Sequence, residues 1–468
     1  MLFLEKGLGA IMDRFLMSNL KPKSHIHFIG IGGISMSGLA EIMLENGFLV
    51  SGSDREGSAI TEKLQKNGAT IYIGHNKDNI KGADLVIHTA AVHEDNPEMA
   101  EALKTGVRRI DRAEFLGAVM KEYKYSIGIA GTHGKTTTTS ILAHALINAE
   151  TDPTISIGGE LDIIGGNIKA GKSQYFLTEA CEYTNSFLKF FPNVAVITNI
   201  EEDHLDFFKG IEDIRNSFRK YACLTNPDGY VVAWGEDPEI IKTLEGTDCN
   251  VIYYGLTDKF DIYASNVKYN SGFPEFDVVK NGEVLCHISL NVPGKHNILN
   301  TLAAIAVCDI YNIDLEKAAR GIEGFHGTHR RFEKKGTVNG ADVIADYAHH
   351  PTEIRATLST AKTFGKNKIW CVFQPHTYTR TRTLWQDFLT CFEDADHLIL
   401  TDIYAAREAF DGVTTSEKLA GEIKNTDASY IKEFEDIKKY LGENVSADDM
   451  VFIMGAGNII NLAEMFKS

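Results

Sequence analysis

Residues 125–149 read YSIGIAGTHGKTTTTSILAHALINA: an apolar run, a glycine turn, then a stretch compatible with a helix. Strand, glycine turn and helix in that order direct backbone N–H groups and a helix N-terminus at a phosphate. Within the turn, Lys135 is placed to reach β- and γ-phosphates and the Thr136 hydroxyl to bind Mg²⁺. The general P-loop spacing G-x-x-x-x-G-K-[ST] is not met, because Ile129 stands at its first glycine; the stretch fits a shortened G-T-x-G-K-T-T. The plainer alternative is a glycine turn carrying a surface lysine. It gives no reason for the strand before the turn or for the four threonines 136–139 after it, so phosphate binding is preferred.

Outward from that turn, short β-branched runs alternate with helical patterns, the signature of parallel α/β sheets. Strands are expected at 27–31, 69–73, 85–89, 126–130, 175–177, 194–200, 369–373, 397–401 and 450–454. They fall into three groups, as a chain of 468 residues suggests at about 150 residues per domain. The expected domains are 1–125, 126–326 and 327–468. The middle of the second group, roughly 225–292, alternates Val, Tyr and Phe between turn signals and reads as an added antiparallel section, with a helix following at 297–311.

Against 47 Lys+Arg stand 64 Asp+Glu, a net charge of −17, which argues against nucleic-acid or anionic-membrane partners. A few placed cations can still hold a phosphate in an acidic protein. Seven scattered cysteines without a C-x-x-C pair argue for reduced thiols in a cytoplasmic protein. Glu5, Lys6, Asp13 and Arg14 interrupt the apolar N-terminus too often for a secretory signal.

Four further segments place polar residues just past apolar runs, at the edge where α/β sheets bind ligands. Glu179 follows 175–177, and Asp203, His204 and Asp206 follow 194–200; near a phosphate site they suit Mg²⁺, and the plain alternative is helix capping by Asp203. In the third group the segments are Asp346-Tyr347-Ala-His349-His350-Pro351-Thr-Glu353 and Phe373-Gln-Pro375-His376-Thr-Tyr378-Thr-Arg380-Thr-Arg382. Guanidinium forks such as Arg380, Arg382 and the Arg330-Arg331 pair suit carboxylate or phosphate oxygens; a capping histidine pair and a solvated arginine face are the alternatives. The first glycine turn, Gly30-Ile-Gly32-Gly33-Ile-Ser35, with Asp54 following, invites a dinucleotide reading. Ser35 stands where a third Gly or Ala belongs, which disfavours nicotinamide and favours a nucleotide or diphosphate.

GTHGKTT, the 179–182 acidic strand end, TNIEEDHLD, PGKHNILN, HRRF, DYAHHPTE and FQPHTYTRTR occur in that order. Together they resemble the Mur ligases of peptidoglycan synthesis from about His25 to the end, most closely the branch that joins L-alanine to UDP-N-acetylmuramate. The resemblance implies an α/β fold of three domains: a Rossmann-like UDP-sugar domain, a central P-loop ATPase domain with an extra β section, and a Rossmann-like C-terminal domain that presents the amino acid. It also implies ATP and Mg²⁺ as cofactors and a monomer or homodimer.

By the same resemblance, Gly131, Thr132, His133, Gly134, Lys135, Thr136 and Thr137 cradle ATP, and Thr136, Glu179 and His204 are metal ligands. His296, Asn297 and Asn300 lie at the adenine and Asp346 at the ribose, while Arg331 reaches the transferring phosphoryl group. Tyr347, His349, His376 and Arg380 bind alanine, with His349 the expected general base, and Gly32, Gly33, Ser35 and Ser37 face the UDP-sugar. Thr377 stands where relatives often carry Arg, which leaves the alanine carboxylate to Arg380, alone or with Arg382. Sister ligases bridge magnesium with a carbamylated lysine; Arg219 and Lys220 lie near that position, and no carbamate is expected. Three other readings compete: a ligase reattaching a preformed tripeptide, a nicotinamide oxidoreductase, and a non-catalytic nucleotide sensor.

Overall fold

The computed structural model describes residues 15–89, 91–406 and 408–467. The N-terminal stretch read above as no secretory signal lies mostly outside them. Three sheets follow one another along the chain. The first comprises β1 (His25–Ile29), β2 (Leu49–Asp54), β3 (Thr70–Ile73), β4 (Leu85–His88) and β5 (Arg108–Asp111), all parallel in the order 3-2-1-4-5. That order reverses direction between β1 and β4, the point at which an open sheet forms a crevice.

The middle sheet has ten strands, ordered 15-14-13-12-11-10-6-9-7-8. They are β6 (Tyr125–Ala130), β7 (Thr154–Leu161), β8 (Gly166–Lys169), β9 (Tyr175–Glu179), β10 (Val194–Ile197), β11 (Tyr230–Trp234), β12 (Val251–Gly255), β13 (Ile262–Asn270), β14 (Phe273–Lys280) and β15 (Glu283–Ser289). Ile127 and Ile129 of β6 and Val194 and Val196 of β10 are fully buried, as a strand covered by helices on both faces requires. The antiparallel section begins at β13, later than expected from 225: β11 and β12 run parallel to β10. The helix Pro238–Leu244 between β11 and β12 supplies the crossover a parallel pair needs, and the apolar runs alone do not reveal direction. The strand expected through residue 200 stops at Ile197, because the residues after it turn away to bind the P-loop turn.

The third sheet contains β16 (Glu333–Val338), β17 (Ala341–Asp346), β18 (Ile369–Phe373), β19 (His397–Leu400), β20 (Asp427–Tyr430) and β21 (Met450–Met454) in the order 16-17-21-18-19-20. Only β16 is antiparallel to its neighbour. In both larger sheets the polar segments leave adjacent strands at their carboxyl ends: β10, β6 and β9 in the middle sheet, β17, β21 and β18 in the third.

One buried charge in the first domain sets an acid limit on stability. Glu98 is fully buried and accepts hydrogen bonds from Ser53 Oγ and Asn79 Nδ2, both at 2.6 Å, with His27 Nε2 3.7 Å away. Burial alone would raise its pKa; His27, Ser53 and Asn79 outweigh burial and hold it at about 2 against an ordinary 4.5. A depressed carboxyl stabilises the fold above its unfolded pKa and loses that contribution as pH falls through the folded one. Glu98 is therefore expected to contribute on the order of 3 kcal/mol near neutrality, disappearing between pH 4.5 and about 2. Urea titrations at stepped pH should show this loss, and Glu98→Gln should flatten it. An unchanged acid slope in that variant would remove Glu98 as its source.

Candidate active site

Gly131 (φ 143°) and Gly134 (φ 82°) bracket the turn after β6, in backbone conformations that L side chains rarely adopt. A Cβ on Gly131 would lie 1.9 Å from Thr198 Oγ1. The turn is held by the segment leaving β10. Thr198 Oγ1 donates to the His133 carbonyl at 2.6 Å; Asn199 accepts from the His133 N–H at 2.8 Å and donates to its carbonyl at 3.0 Å. Thr132 Oγ1 accepts from the Glu201 N–H at 2.9 Å. The helix Lys135–Asn148 then starts at Gly134 with no side-chain cap, so its first N–H groups remain available to an anion.

Lys135 Nζ lies 3.0 Å from Glu182 Oε2 and 3.0 Å from the Thr132 carbonyl, and also donates to the Gly131 carbonyl. The lysine thus closes its own loop until a more strongly charged partner competes for it. Thr136 Oγ1 donates to Glu179 Oε2 at 3.2 Å, and the Gly158 N–H donates to Glu179 Oε1 at 2.7 Å. Burial raises the Glu179 pKa despite Gly158 and Lys135. A desolvated carboxylate beside a threonine hydroxyl is a hard oxygen donor set, which suits Mg²⁺. His204, the other expected metal ligand, faces Glu182 (Nε2 to Oε1 3.8 Å), and its ring lies 4.6 Å from that of Tyr183. Glu182 and Lys135 therefore stand between the two residues expected to share a metal.

Beside the turn a cavity of about 550 Å³ is lined by His133, Gly134, Thr137, His296, Asn297, Asn300, Arg331 and Asp346, with Trp234, Tyr254 and Phe273 as apolar wall. These include every residue expected at the adenine and ribose. Asn297 and Asn300 are partly occupied: Asn297 Nδ2 donates to the Pro293 carbonyl at 2.7 Å, and Asn300 Nδ2 to Asn297 Oδ1 at 3.0 Å. Asp346 is buried at the end of β17 and accepts from the Ala348 N–H at 2.7 Å and the Phe332 N–H at 3.0 Å.

The third domain closes this site through Glu353. The helix Pro351–Lys362 is capped by His350, and Glu353 at its third position accepts from the backbone N–H groups of His349 (3.1 Å) and His350 (3.3 Å). The same carboxylate lies 3.4 Å from His133 Nδ1, 3.3 Å from Arg331 Nη1 and 3.2 Å from His349 Nδ1. Burial opposes its charge, yet the cations of His133 and Arg331 hold its pKa well below the ordinary range. Burial would likewise lower His133, but Glu353 and Glu201 keep it up at about 9. Burial pushes His349 down to about 4, and Arg380 adds to the effect, so its ring is neutral at pH 7. The neutral ring is the form that can accept a proton, and the low pKa makes His349 a weak base near neutrality.

Arg380 Nη2 and Nε lie 3.0 and 3.3 Å from Asp203 Oδ1, and Nη1 lies 3.2 Å from His376 Nδ1. The His349 and His376 rings are 6.0 Å apart, and Arg331 lies over the Tyr347 ring at 5.3 Å. Tyr347, His349, His376 and Arg380 thus converge beside the Glu353 cluster. Arg382 does not join them: it is 59% exposed and pairs with Asp411. Arg330 is a strut, donating to the Gly455 carbonyl at 2.8 Å. Asp203 caps no helix; Arg380 holds its carboxyl below the usual range against burial.

In the first domain Gly33 is the N-cap of the helix Ile34–Glu45, and Arg112 Nη1 donates to Ser35 Oγ at 2.9 Å. Ser37 Oγ donates to the Ile34 carbonyl at 2.8 Å. Asp54 accepts from the Gly32 N–H at 2.8 Å, so the carboxylate a nicotinamide dinucleotide would need for its ribose is spent on the turn itself. Sequence reading assigned no role to Glu182, Thr198, Asn199 or Glu201, and none to Glu353. For Glu353 a signal existed, since an acid at the third position after a capping residue marks a helix start.

Comparison with known proteins matches all three parts of the chain to one family. Residues 25–124 match the Mur ligase family catalytic domain, 129–308 the Mur ligase middle domain, and 330–457 the Mur ligase glutamate ligase domain. The chain is 54% identical over 451 residues to a UDP-N-acetylmuramate–L-alanine ligase of Clostridium botulinum, covering 96% of this chain and 98% of that protein. A ligase of the same description from Clostridium tetani is 54% identical over 450 residues, with the same coverage. Among solved structures, a UDP-N-acetylmuramate–alanine ligase from Thermotoga maritima superposes with a TM-score of 0.75 at 32% identity, covering 94% of this chain and 98% of that one. A murein peptide ligase from Psychrobacter arcticus gives 0.66 at 26% identity, covering 95% and 98%. With three contiguous domain matches and close relatives along almost its whole length, the chain belongs to the Mur ligase family.

Proposed function

We propose that this protein is an ATP-dependent, ADP-forming ligase that joins L-alanine to the lactyl carboxylate of UDP-N-acetylmuramate, the first amino-acid addition to the peptidoglycan precursor. The observation that carries the reading is the Glu353 cluster. It places Arg331 from the third domain, His133 from the P-loop turn, and His349 from the Tyr347–His376–Arg380 group around one carboxylate. A phosphoryl donor bound at the turn and an amine bound beside Arg380 would meet there. The curated relatives at 54% identity carry this activity in their names.

In the proposed reaction a carboxylate oxygen of the sugar attacks the γ-phosphorus of ATP, the bond to the β,γ-bridging oxygen breaks, and ADP leaves. The alanine amine then attacks the acyl carbon; the C–N bond forms, the bond from the acyl carbon to the phosphate oxygen breaks, and the departing phosphate takes up the proton that the amine gives up. Phosphoryl transfer asks chiefly for positioning and charge neutralisation. Lys135 and the turn Gly131, Thr132, His133, Gly134, Thr136 and Thr137 cradle the phosphates, with Asn199 holding the Thr132 and His133 N–H groups so that the helix N-terminus faces the ligand, and Arg331 meets the transferring group. Thr136, Glu179 and His204 are the residues that would hold Mg²⁺, which when bound draws charge from the γ-phosphate. His296, Asn297, Asn300 and Asp346 take the adenosine, and Gly32, Gly33, Ser35 and Ser37 take the UDP-sugar. Arg380 binds the alanine carboxylate, with Tyr347 and His376 beside it, and neutral His349 orients the amine by accepting a hydrogen bond. Three domains closing together would keep water from the acyl phosphate. No helix among the described residues is long and apolar enough to cross a membrane, and the seven cysteines are free thiols, in keeping with a cytoplasmic location.

The acyl phosphate is directly testable. With Mg-ATP and the UDP-sugar but no amino acid, hydroxylamine is expected to yield the sugar hydroxamate together with ADP. ADP without hydroxamate would reject activation of the carboxylate.

A further inference from the structure

Beside the Glu353 cluster, at the seam between the middle and third domains, His133 of the P-loop turn also meets two side chains given no role in the reaction above, Glu201 and His350. His133 Nε2 lies 3.7 Å from Glu201 Oε2, and His350 Nδ1 lies 3.8 Å from the same oxygen. Their nearest donor atoms all fall within 4.8 Å of one another, and the two imidazole rings are 4.7 Å apart. His133 Nε2 is buried without a hydrogen-bond partner, an arrangement that costs free energy unless something binds the nitrogen.

The second nitrogen of each ring is already oriented. His133 Nδ1 lies 3.4 Å from Glu353 Oε1, and His350 Nε2 lies 3.3 Å from the Glu202 carbonyl. With Nδ1–H of His133 on a carboxylate, its Nε2 lone pair is left free beside Glu201; with Nε2–H of His350 on a carbonyl, His350 Nδ1 is an acceptor that holds the Thr352 N–H at 3.3 Å and would exchange that bond for an ion. This is the outer-shell pattern of histidines that ligate metals. Thr352 Oγ1 donates to Glu201 Oε2 at 2.6 Å and fixes the carboxylate as well.

We infer that His133, Glu201 and His350 form a second cation site, for a borderline divalent metal such as Zn²⁺, that ties the P-loop turn to the first turn of the helix Pro351–Lys362. Two imidazoles and one carboxylate favour zinc over magnesium, which takes oxygen ligands, and leave a fourth tetrahedral position for water. Bonds of about 2.0–2.1 Å at tetrahedral angles place ligand atoms roughly 3.3 Å apart. The two distances to Glu201, 3.7 and 3.8 Å, therefore need to shrink by a few tenths of an ångström, and the two imidazole nitrogens, within 4.8 Å of each other, draw together with them. The ion takes the place of the proton that Glu353 and Glu201 otherwise keep on His133. It shares no side chain with the Thr136–Glu179–His204 set, and two of its ligands come from the middle domain and one from the third.

The test uses the full-length chain, stripped with chelator and kept in excess Mg²⁺ so that oxygen-rich sites are filled. Titration with Zn²⁺ against a chromophoric chelator, and with Co²⁺ followed by its ligand-field spectrum, is expected to show one tight equivalent. Groups that merely orient a metal ligand are worth about 10–100-fold, so His350→Gln and Glu201→Gln should each weaken binding by about 100-fold or more. Cys223 and Cys249, neighbouring thiols in the middle domain, are the competing zinc-binding pair, and the double variant Cys223→Ser/Cys249→Ser should bind as the parent does. Because His350 also caps a helix, Glu201→Gln serves as the ligand variant that leaves the cap intact. No tight equivalent in the parent, unchanged binding in either ligand variant, or loss on the cysteine substitutions overturns the site.

Discussion

Lys135→Ala is expected to lower ADP release by at least about 10³-fold, the scale set by single cations that neutralise a transferring phosphoryl group. Lys135 is the cation at the mouth of the helix Lys135–Asn148, held against the Gly131 and Thr132 carbonyls and Glu182. ATP would draw the ammonium off those carbonyls, so the residue both opens the turn and meets the phosphates. Removing it also leaves Glu182, 4% exposed, with only His204 Nε2 at 3.8 Å beside it, which costs stability as well as rate. Two readouts separate these effects. The first glycine turn lies in another domain, so affinity for the UDP-sugar should stay at the parent value while turnover disappears. Near-normal product formation by this variant would contradict the ATP assignment.

Arg380→Ala should act on the other substrate. The guanidinium is the cation beside Tyr347, His349 and His376, and a bound amino-acid carboxylate would exchange places with Asp203 on Nε and Nη2. Loss of a charge-assisted, two-pronged contact is worth about 2–4 kcal/mol, so the KM for alanine should rise by about 10²-fold or more. The KM values for ATP and for the UDP-sugar should move far less. Arg380→Lys is expected to recover part of the affinity, since it keeps the charge and loses the fork. A fall in kcat with an unchanged alanine KM would place the carboxylate elsewhere, and Arg382 is too exposed and too well paired with Asp411 to take over.

What the sequence disclosed and what it hid follow one physical division. The turn at 131–137 was legible because its requirements are local: glycines where φ is positive, and a helix N-terminus immediately after. The Arg380 segment and the 346–353 segment were legible for the same reason, as polar runs just past strands. Partners distant in the chain were not. Asp203 read as suited to Mg²⁺, with a helix cap as the plain alternative, and only the folded chain brings it to Arg380, 177 residues away. Thr198 and Asn199 shape the P-loop turn from 65 and 66 residues off. Glu353 could be read as a helix-start acid, but not as the carboxylate shared by His133, Arg331 and His349. The direction of β11 and β12 was hidden too, because an apolar strand carries no mark of its neighbour's sense. The protonation state of His349 depends on burial and on Arg380, neither of which a motif encodes.

The central claim, that this ligase adds alanine to the UDP-sugar, is tested most directly by ADP release from Mg-ATP and UDP-N-acetylmuramate with one acceptor at a time. L-alanine, glycine, L-serine and the L-Ala-γ-D-Glu-diaminopimelate tripeptide are the informative set. Turnover is expected to be fastest with alanine, with slower leakage to glycine and serine, since one methyl group discriminates by only about 1–3 kcal/mol. The tripeptide should give none. Turnover with the tripeptide and not with alanine would contradict the account and make the Tyr347–His349–His376–Arg380 group a site for a larger acceptor.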